Sequence, residues 1–434
     1  MRSRLLRRRS ATVAWIYVAV AFGILGTIVA ARVLGLEDFG VFATALAAVG
    51  FFQVLLDLTV EESLTKYGFH YVAAEDWGRL RRLFRQTLVL KIVGGAVATV
   101  VLVALAPFAD RIFGSPGVET ALLAACLLPL VQSSENVFAT AFLLHGRYDL
   151  RGAYQAGSTA LRLLAIALFA PLGVNQALAA IVVAQAISTA AVTILGTRAL
   201  RSFPAGEPRE LGEDVPGIRS FVLQSSIATG VISLRTTLVP LLLGIVAGPT
   251  DVGLFRIAQT PQTGLSAASS PARLVLLTEQ TRDWEHGEQS RVLAGVRSYT
   301  VWAGGLMLVA VPVFFVAMPW LVRIVFGSQY EGAVDAARLI LFAAAIQFAL
   351  GWTKSLPVTI GRPRLRIVAH GVEAAVALPL VALFGASWGV TGAAVAVLLS
   401  SVAFAAVWVV VLVRLRAEVA ARDRERALRE ALQG

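Results

Sequence analysis

Six polar residues spaced by threes and fours interrupt an otherwise apolar stretch: Arg256, Gln259, Thr263, Ser266, Ser270 and Arg273. Steps of three and four put all six on one face of a helix, so a hydrogen-bonding stripe with a guanidinium near each end runs along it. Pro261 and Pro271 interrupt the same helix. Carbonyls freed by proline inside a membrane are tolerated only where protein or water satisfies them. Arg235, on the same side as Gln224 three turns away, and Arg162 place two more guanidiniums inside apolar runs. A guanidinium fork matches phosphate oxygens and keeps its charge when desolvated, whereas a buried lysine tends to lose its proton. A cavity holding more arginine than carboxylate therefore suits an anionic ligand. The same spacing also fits a Ser/Thr-rich helix contact with snorkelling arginines at its ends.

Few carboxylates accompany these cations. Gln53, Asp57 and Glu61 share a helical face with Gly50, and Asp57 and Glu61 are expected near Arg273. There they either pair with arginine or carry a proton or sodium gradient; Glu61 and Glu62 also fit plain interfacial carboxylates. Arg162 is expected to face a cavity or to pair with Glu135, the third acid considered for coupling or pairing. Lys91, Glu373 and Arg338 fall close to the ends of apolar runs and read as snorkelling residues. Cys126 is the only cysteine, and His70, His145, His286 and His370 are widely scattered. No metal site or cofactor is expected from them, and no HExxH, Walker A or GxSxG sequence suggests hydrolysis or ATP-driven pumping.

The elements that must position these residues are membrane spans. Hydrophobic residues make up 57% of the 434 and charged ones 15%, outside the soluble globular range. Runs long enough to cross a hydrocarbon core of about 30 Å fall at 11–31, 39–60, 87–106, 118–143, 153–170, 174–197, 218–246, 252–277, 298–317, 333–352, 367–386 and 388–413. The expected fold is all-α and polytopic, with twelve transmembrane helices in two six-helix bundles. Residues 1–197 form the first bundle, 198–217 a cytoplasmic linker rich in Pro and Gly, 218–413 the second bundle, and 414–434 a basic cytoplasmic tail. The tail offers Glu418–Arg422 and Glu425–Arg429 at i,i+4 and reads as a mixed-charge helix resting on anionic headgroups.

A net charge of +11 would suggest nucleic acid in a soluble chain, but the cations lie between the spans. Of 38 lysines and arginines, six lie inside spans and only Arg32, Arg111 and Arg323 fall in odd-numbered loops. The others occupy the termini and even-numbered loops. Both termini are therefore expected in the cytoplasm, and no nucleic acid is expected as partner.

The second half repeats the first. Gly35, Asp38, Phe39, Gly40 and Phe42 return as Gly248, Asp251, Val252, Gly253 and Phe255. Pro107, Arg111, Ile112, Gly114 and Ser115 return as Pro319, Arg323, Ile324, Gly327 and Ser328, and Gly146, Arg147, Leu150 and Arg151 as Gly361, Arg362, Leu365 and Arg366. Arg79 and Arg85 also match Arg291 and Arg297. Each copy holds an even number of spans, so both share one orientation about a pseudo-two-fold axis along the membrane normal. That is the plan of transporters that rock one half against the other around a midplane site. Under the repeat, Gln53 and Asp57 align with Ser266 and Ser270, so the two polar stripes are expected to face one another.

The pattern Arg32, Leu34, Gly35, Asp38, Phe39, Gly40, Phe42, with Asp251, Gly253 and Ala258 opening span eight and Ile324, Gly327 and Tyr330 later, resembles Wzx-like oligosaccharide flippases. These form the polysaccharide-export branch of the multidrug/oligosaccharidyl-lipid/polysaccharide superfamily. The resemblance covers almost the whole chain. It implies transfer of undecaprenyl-diphosphate-linked sugars across the bacterial inner membrane through a cationic cavity lined by helices one, two, seven and eight. The expected partners are that lipid-linked substrate, membrane lipids, a coupling proton or sodium ion and a polysaccharide polymerase. Two related classes fit less well. Multidrug/cation antiporters often carry an acidic site in span one or around spans seven and eight, where this chain has an uncharged span one and arginines in span eight; lipid II flippases typically have fourteen spans. A membrane glycosyltransferase would need an acidic catalytic pair in a large loop, and the loops here are short.

Overall fold

The computed structural model describes residues 2–56, 60–269, 280, 282–284, 286–362 and 364–433, and all regular structure among them is helical. Among the described residues, nine helices are long and apolar enough to cross a membrane, and a tenth, bent by 45°, covers Asp214–Ala247. The sequence-predicted spans map onto helices in chain order. The first half holds α1 (Arg2–Leu34), α2 (Leu36–Leu56), α3 (Val60–Ala73), α4 (Trp77–Phe113), α5 (Val118–Ala125), α6 (Leu128–Gln132), α7 (Glu135–Leu144), α8 (Tyr148–Phe169) and α9 (Val174–Arg201). The second holds α10 (Asp214–Ala247), α11 (Pro249–Ala258), α12 (Thr260–Ala268), α13 (Gln289–Val325), α14 (Val334–Ala349) and α15 (Arg364–Gln433).

Span four is α5, α6 and α7 in succession, with Pro129 opening the short middle piece. Span eight is broken in the same way at Gln259, where Pro261 sits in the first turn of α12 and cannot continue the ladder of α11. α15 holds the last two spans. Gly389 leaves helical geometry, and a Cβ at Gly392 would lie 1.9 Å from the carbonyl oxygen of Phe384. Residues eight apart in a straight helix stand about 12 Å apart, so the chain folds back here as a helical hairpin.

α4 shows how a span is divided between lipid and protein. Val93, Val97, Val100 and Val103 are exposed, while Gly95, Ala98, Thr99, Leu102 and Ala106 are buried. A Cβ on Gly95 would meet the Pro129 oxygen at 2.8 Å. Small residues on the inward face let backbones approach, which substitutes for the hydrophobic driving force that lipid removes.

Packing groups residues 1–257 with 323–331 as one compact unit and 258–322 with 332–434 as another. Within the first unit the repeated motifs meet each other. Gly35 and Gly248 take positive φ at the ends of α1 and α10, conformations that cost glycine nothing. Five residues beyond each, Gly40 and Gly253 touch: a Cβ on Gly253 would lie 3.1 Å from Gly40 Cα, and one on Gly40 would lie 2.5 Å from the Pro249 oxygen. Arg32 donates to the Val325 carbonyl at 2.8 Å and also to that of Ile324, Tyr330 Oη donates to the Ala31 carbonyl at 2.6 Å, and the ring of Phe39 meets that of Tyr330 edge-on at 5.9 Å. The counterpart contact puts Phe113 against Gly244.

The segment between α9 and α10 is docked rather than loose. Phe203 stacks on Trp77 and His145, Arg81 donates to the Pro204 carbonyl at 3.3 Å, and Leu211 is buried with Leu64, Leu80 and Ile218. Tyr71 Oη donates to Asp214 Oδ2 at 2.8 Å, and Arg79 approaches the same carboxylate at 3.5 Å. Burial first, and the Asp214 carboxylate second, push the Tyr71 phenol above its ordinary value. The raised value makes its contribution fully present below about pH 10 and lost as pH rises further. Tyr71→Phe should therefore lower thermal stability by about 1 kcal/mol at neutral pH. The difference from wild type should shrink in strongly alkaline buffer, as read by unfolding scans of the purified protein.

Candidate functional site

Two polar networks and one accessible polar face emerge. In the first unit, α2, α3, α4, α6, α7, α8 and α9 direct charged and amide side chains inward. Glu61 Oε2 lies 2.6 Å from Lys91 Nζ, a lysine whose side chain is only 2% exposed. Gln53 Nε2 donates to Gln132 Oε1 at 3.2 Å, and Arg162 Nη2 reaches the same oxygen at 3.4 Å. Arg162 Nε donates to Gln185 Oε1 at 2.9 Å, and Gln185 Nε2 donates to Glu135 Oε2 at 2.7 Å. A narrow cleft is lined by Gln53, Lys91, Gly95 and Ser133. Four sequence-selected residues, Gln53, Glu61, Glu135 and Arg162, thus lie in one bundle interior.

Four expectations change. Lys91 does not snorkel, because the bundle supplies its counter-charge internally. Glu373 does not snorkel either: it is 1% exposed, accepts from Gln347 Nε2 at 3.0 Å and lies 2.9 Å from His370 Nδ1. Glu61 has Lys91 as its partner where Arg273 was expected; Arg273, Asp57 and Ser270 lie outside the described residues. Arg162 and Glu135 interact, but through the Gln185 amide between them.

Gln132 and Gln185 were missed. Gln185, Ser188 and Thr189 form a buried polar strip on α9, a period-of-four signal as legible as the one in span eight. Gln132 is harder to find, since its position follows from the break beside Pro129.

The second unit carries a chain of amides. Gln262 Nε2 on α12 donates to Gln347 Oε1 at 3.2 Å, and Gln347 Nε2 reaches both Glu373 and, at 3.4 Å, Ser401 Oγ. This side of α12 packs against α14. Thr263 and Ser266, on the stripe, remain exposed, and Gln259 is half-buried. Preceding them on α11, Arg256 is exposed although its neighbours Phe255, Ile257 and Ala258 are buried. On α10, Arg235 is half-buried and Gln224 is exposed, donating to Ser220 Oγ at 2.9 Å. Ser225 of the same helix donates to Glu62. Thr263 and Ser266 thus stay exposed while Gln262 turns toward Gln347 of α14.

Long apolar helices with charge held inside them define a multi-pass membrane protein. The chain belongs to the family described as polysaccharide biosynthesis protein, whose sequence profile matches residues 6–276. It is 28% identical over 336 residues to the inner membrane protein YghQ of Escherichia coli strain K12, covering 73% of this chain and 91% of YghQ. Among solved structures it resembles an inward-facing conformation of a multidrug resistance MATE family transporter of the MOP superfamily, with 13% identity, TM-score 0.75 and coverage of 94% and 96% of the two chains. It also resembles the lipid II flippase MurJ in an inward closed conformation, with 9% identity, TM-score 0.66 and coverage of 94% and 89%. These likenesses establish the transporter fold.

Proposed function

We propose that this protein flips undecaprenyl-diphosphate-linked oligosaccharide across the bacterial inner membrane by alternating access. The observation that carries the reading is the exposure of polar side chains within span eight. Thr263 and Ser266 are exposed on α12 while Gln262 of the same helix bonds Gln347, and Arg256 is exposed on α11; polar groups left open within a span are what a hydrophilic headgroup crossing a membrane requires. The polysaccharide-biosynthesis family and the inner-membrane relative support the substrate class and the location. In this reading Arg235, Arg256 and Arg273 hold the diphosphate and Gln259, Thr263, Ser266 and Ser270 meet the first sugars. Arg162 is assigned to the internal network with Gln185 instead. Glu61 and Glu135, both engaged inside the first bundle, act as charge partners rather than as ion carriers. Both termini lie in the cytoplasm.

The test is polymer displayed at the surface of cells lacking the native gene and carrying variants with verified membrane levels. Arg235→Ala and Arg273→Ala should each reduce export about tenfold or more, since a charge-assisted hydrogen bond contributes about 1.5–3 kcal/mol. Lysine at either position should restore only part of it, lacking the bidentate fork. Full export by the double alanine variant would remove the arginines from the mechanism.

A further inference from the structure

The beginning of α13 and the end of the membrane portion of α15 enclose an open groove of ≈ 750 Å³, lined by Arg297, Ser298, Val301, Trp302 and Arg416. Both arginines are exposed. Among the described residues neither has an ion-pair or hydrogen-bond partner, whereas the nearby cations Arg291 and Arg362 are paired with Glu288 and Glu418. Among the described residues, no carboxylate lines the groove.

Its position along the two helices is matched. On α13 the exposed apolar surface begins at Val301 and Trp302 and continues through Leu308, Val309 and Val313. On α15 the corresponding surface runs through Val402, Val409 and Val410 and ends at Val413. Arg297 precedes the first surface and Arg416 follows the second by about one helical turn each. Two guanidiniums and a hydroxyl thus line one groove where the lipid-facing surface stops, together with an indole of the kind that favours the headgroup layer.

We propose that this groove binds one anionic phospholipid, its headgroup phosphate held by Arg297, Arg416 and Ser298 and its acyl chains lying along Val301, Trp302 and Val413. The charge complementarity selects a phosphate, and the continuity of the groove with the apolar strip selects a lipid over a free anion. The site is separate from the stripe on α11 and α12 and does not depend on the flippase reading. It gives Arg297, one half of the Arg85–Arg297 repeat pair, a role that transport does not supply.

The experiment uses the full chain in phosphatidylcholine nanodiscs, titrated with phosphatidylglycerol bearing brominated acyl chains. Bromine quenches tryptophan on contact, and subtracting the Trp302→Phe signal isolates Trp302. The expected result is stronger quenching by brominated phosphatidylglycerol than by brominated phosphatidylcholine at equal mole fraction. Arg297→Gln and Arg416→Gln should each weaken it about fivefold, the factor equivalent to about 1 kcal/mol per interfacial arginine. Arg291→Gln, which removes equal charge nearby, should leave it unchanged. Equal quenching by both lipids in the wild-type protein overturns the proposal. So does an equal loss in Arg291→Gln, which would reduce the effect to general surface charge, and so does full displacement of the lipid by millimolar inorganic phosphate, which would make this a free-anion site.

Discussion

Glu61→Ala should destabilise the protein by about 3–5 kcal/mol, the cost of removing one member of a buried ion pair. The size follows from asymmetry. Lys91 is the deeper partner, with 2% of its side chain exposed against 24% for Glu61, so the substitution strips a carboxylate from an ammonium that water cannot reach. The cleft that the lysine shares with Gln53 and Ser133 must then reorganise around an unpaired charge. Adding Lys91→Met should recover most of the loss, because a well-packed apolar chain of similar length replaces a charge that no longer has its counterpart. The measurement is thermal unfolding of purified protein in one detergent for both single variants and the double. A double variant as unstable as Glu61→Ala would show that the pair is not coupled.

Gly40→Ala should be nearly as damaging, for a reason that involves no charge. Its Cβ would lie 2.5 Å from the Pro249 oxygen and 2.7 Å from the carbonyl carbon. Backbone atoms cannot swing aside as a side chain does, so α2 and α11 must separate, at about 1–3 kcal/mol or more. Gly253→Ala, with a nearest approach of 3.1 Å, should cost less, and Gly50→Ala, which meets nothing within 4 Å, should be neutral or stabilising. The order of melting temperatures, Gly40→Ala below Gly253→Ala below Gly50→Ala, is the check. Any inversion would mean that helix packing at this point is looser than the contact distances say.

Twelve apolar runs and a tandem repeat were legible in the sequence because both are long-range regularities that survive substitution. The run 118–143 concealed two breaks, at Cys126–Leu127 and Ser133–Ser134, since hydropathy stays high across them and only Pro129 hints at one. The internal partners were less legible still. Helical periodicity identifies which residues share a face, as it did for Gln53 and Glu61, but not which helix that face meets. Lys91 therefore read as a snorkelling residue when α4 turns it toward Glu61. Glu373 was misread for the same reason: its amide partner Gln347 is 26 residues away on another helix.

The contacts among Gly40, Gly253, Arg32, Val325, Phe113 and Gly244 have the logic of an isologous dimer seam written into a single chain. Gly40 and Gly253 stand 213 residues apart, as do Gly35 and Gly248, and each is the other's copy. Where a motif packs against its own duplicate, a bulky substitution in one copy must fit beside the residue retained in the other. In a true homodimer both would change together; here they change one at a time. Substitution at this seam is therefore more constrained than on the lipid-facing surfaces, which accept any apolar side chain, and that fits the survival of the Gly35–Phe42 and Pro107–Ser115 motifs and their copies.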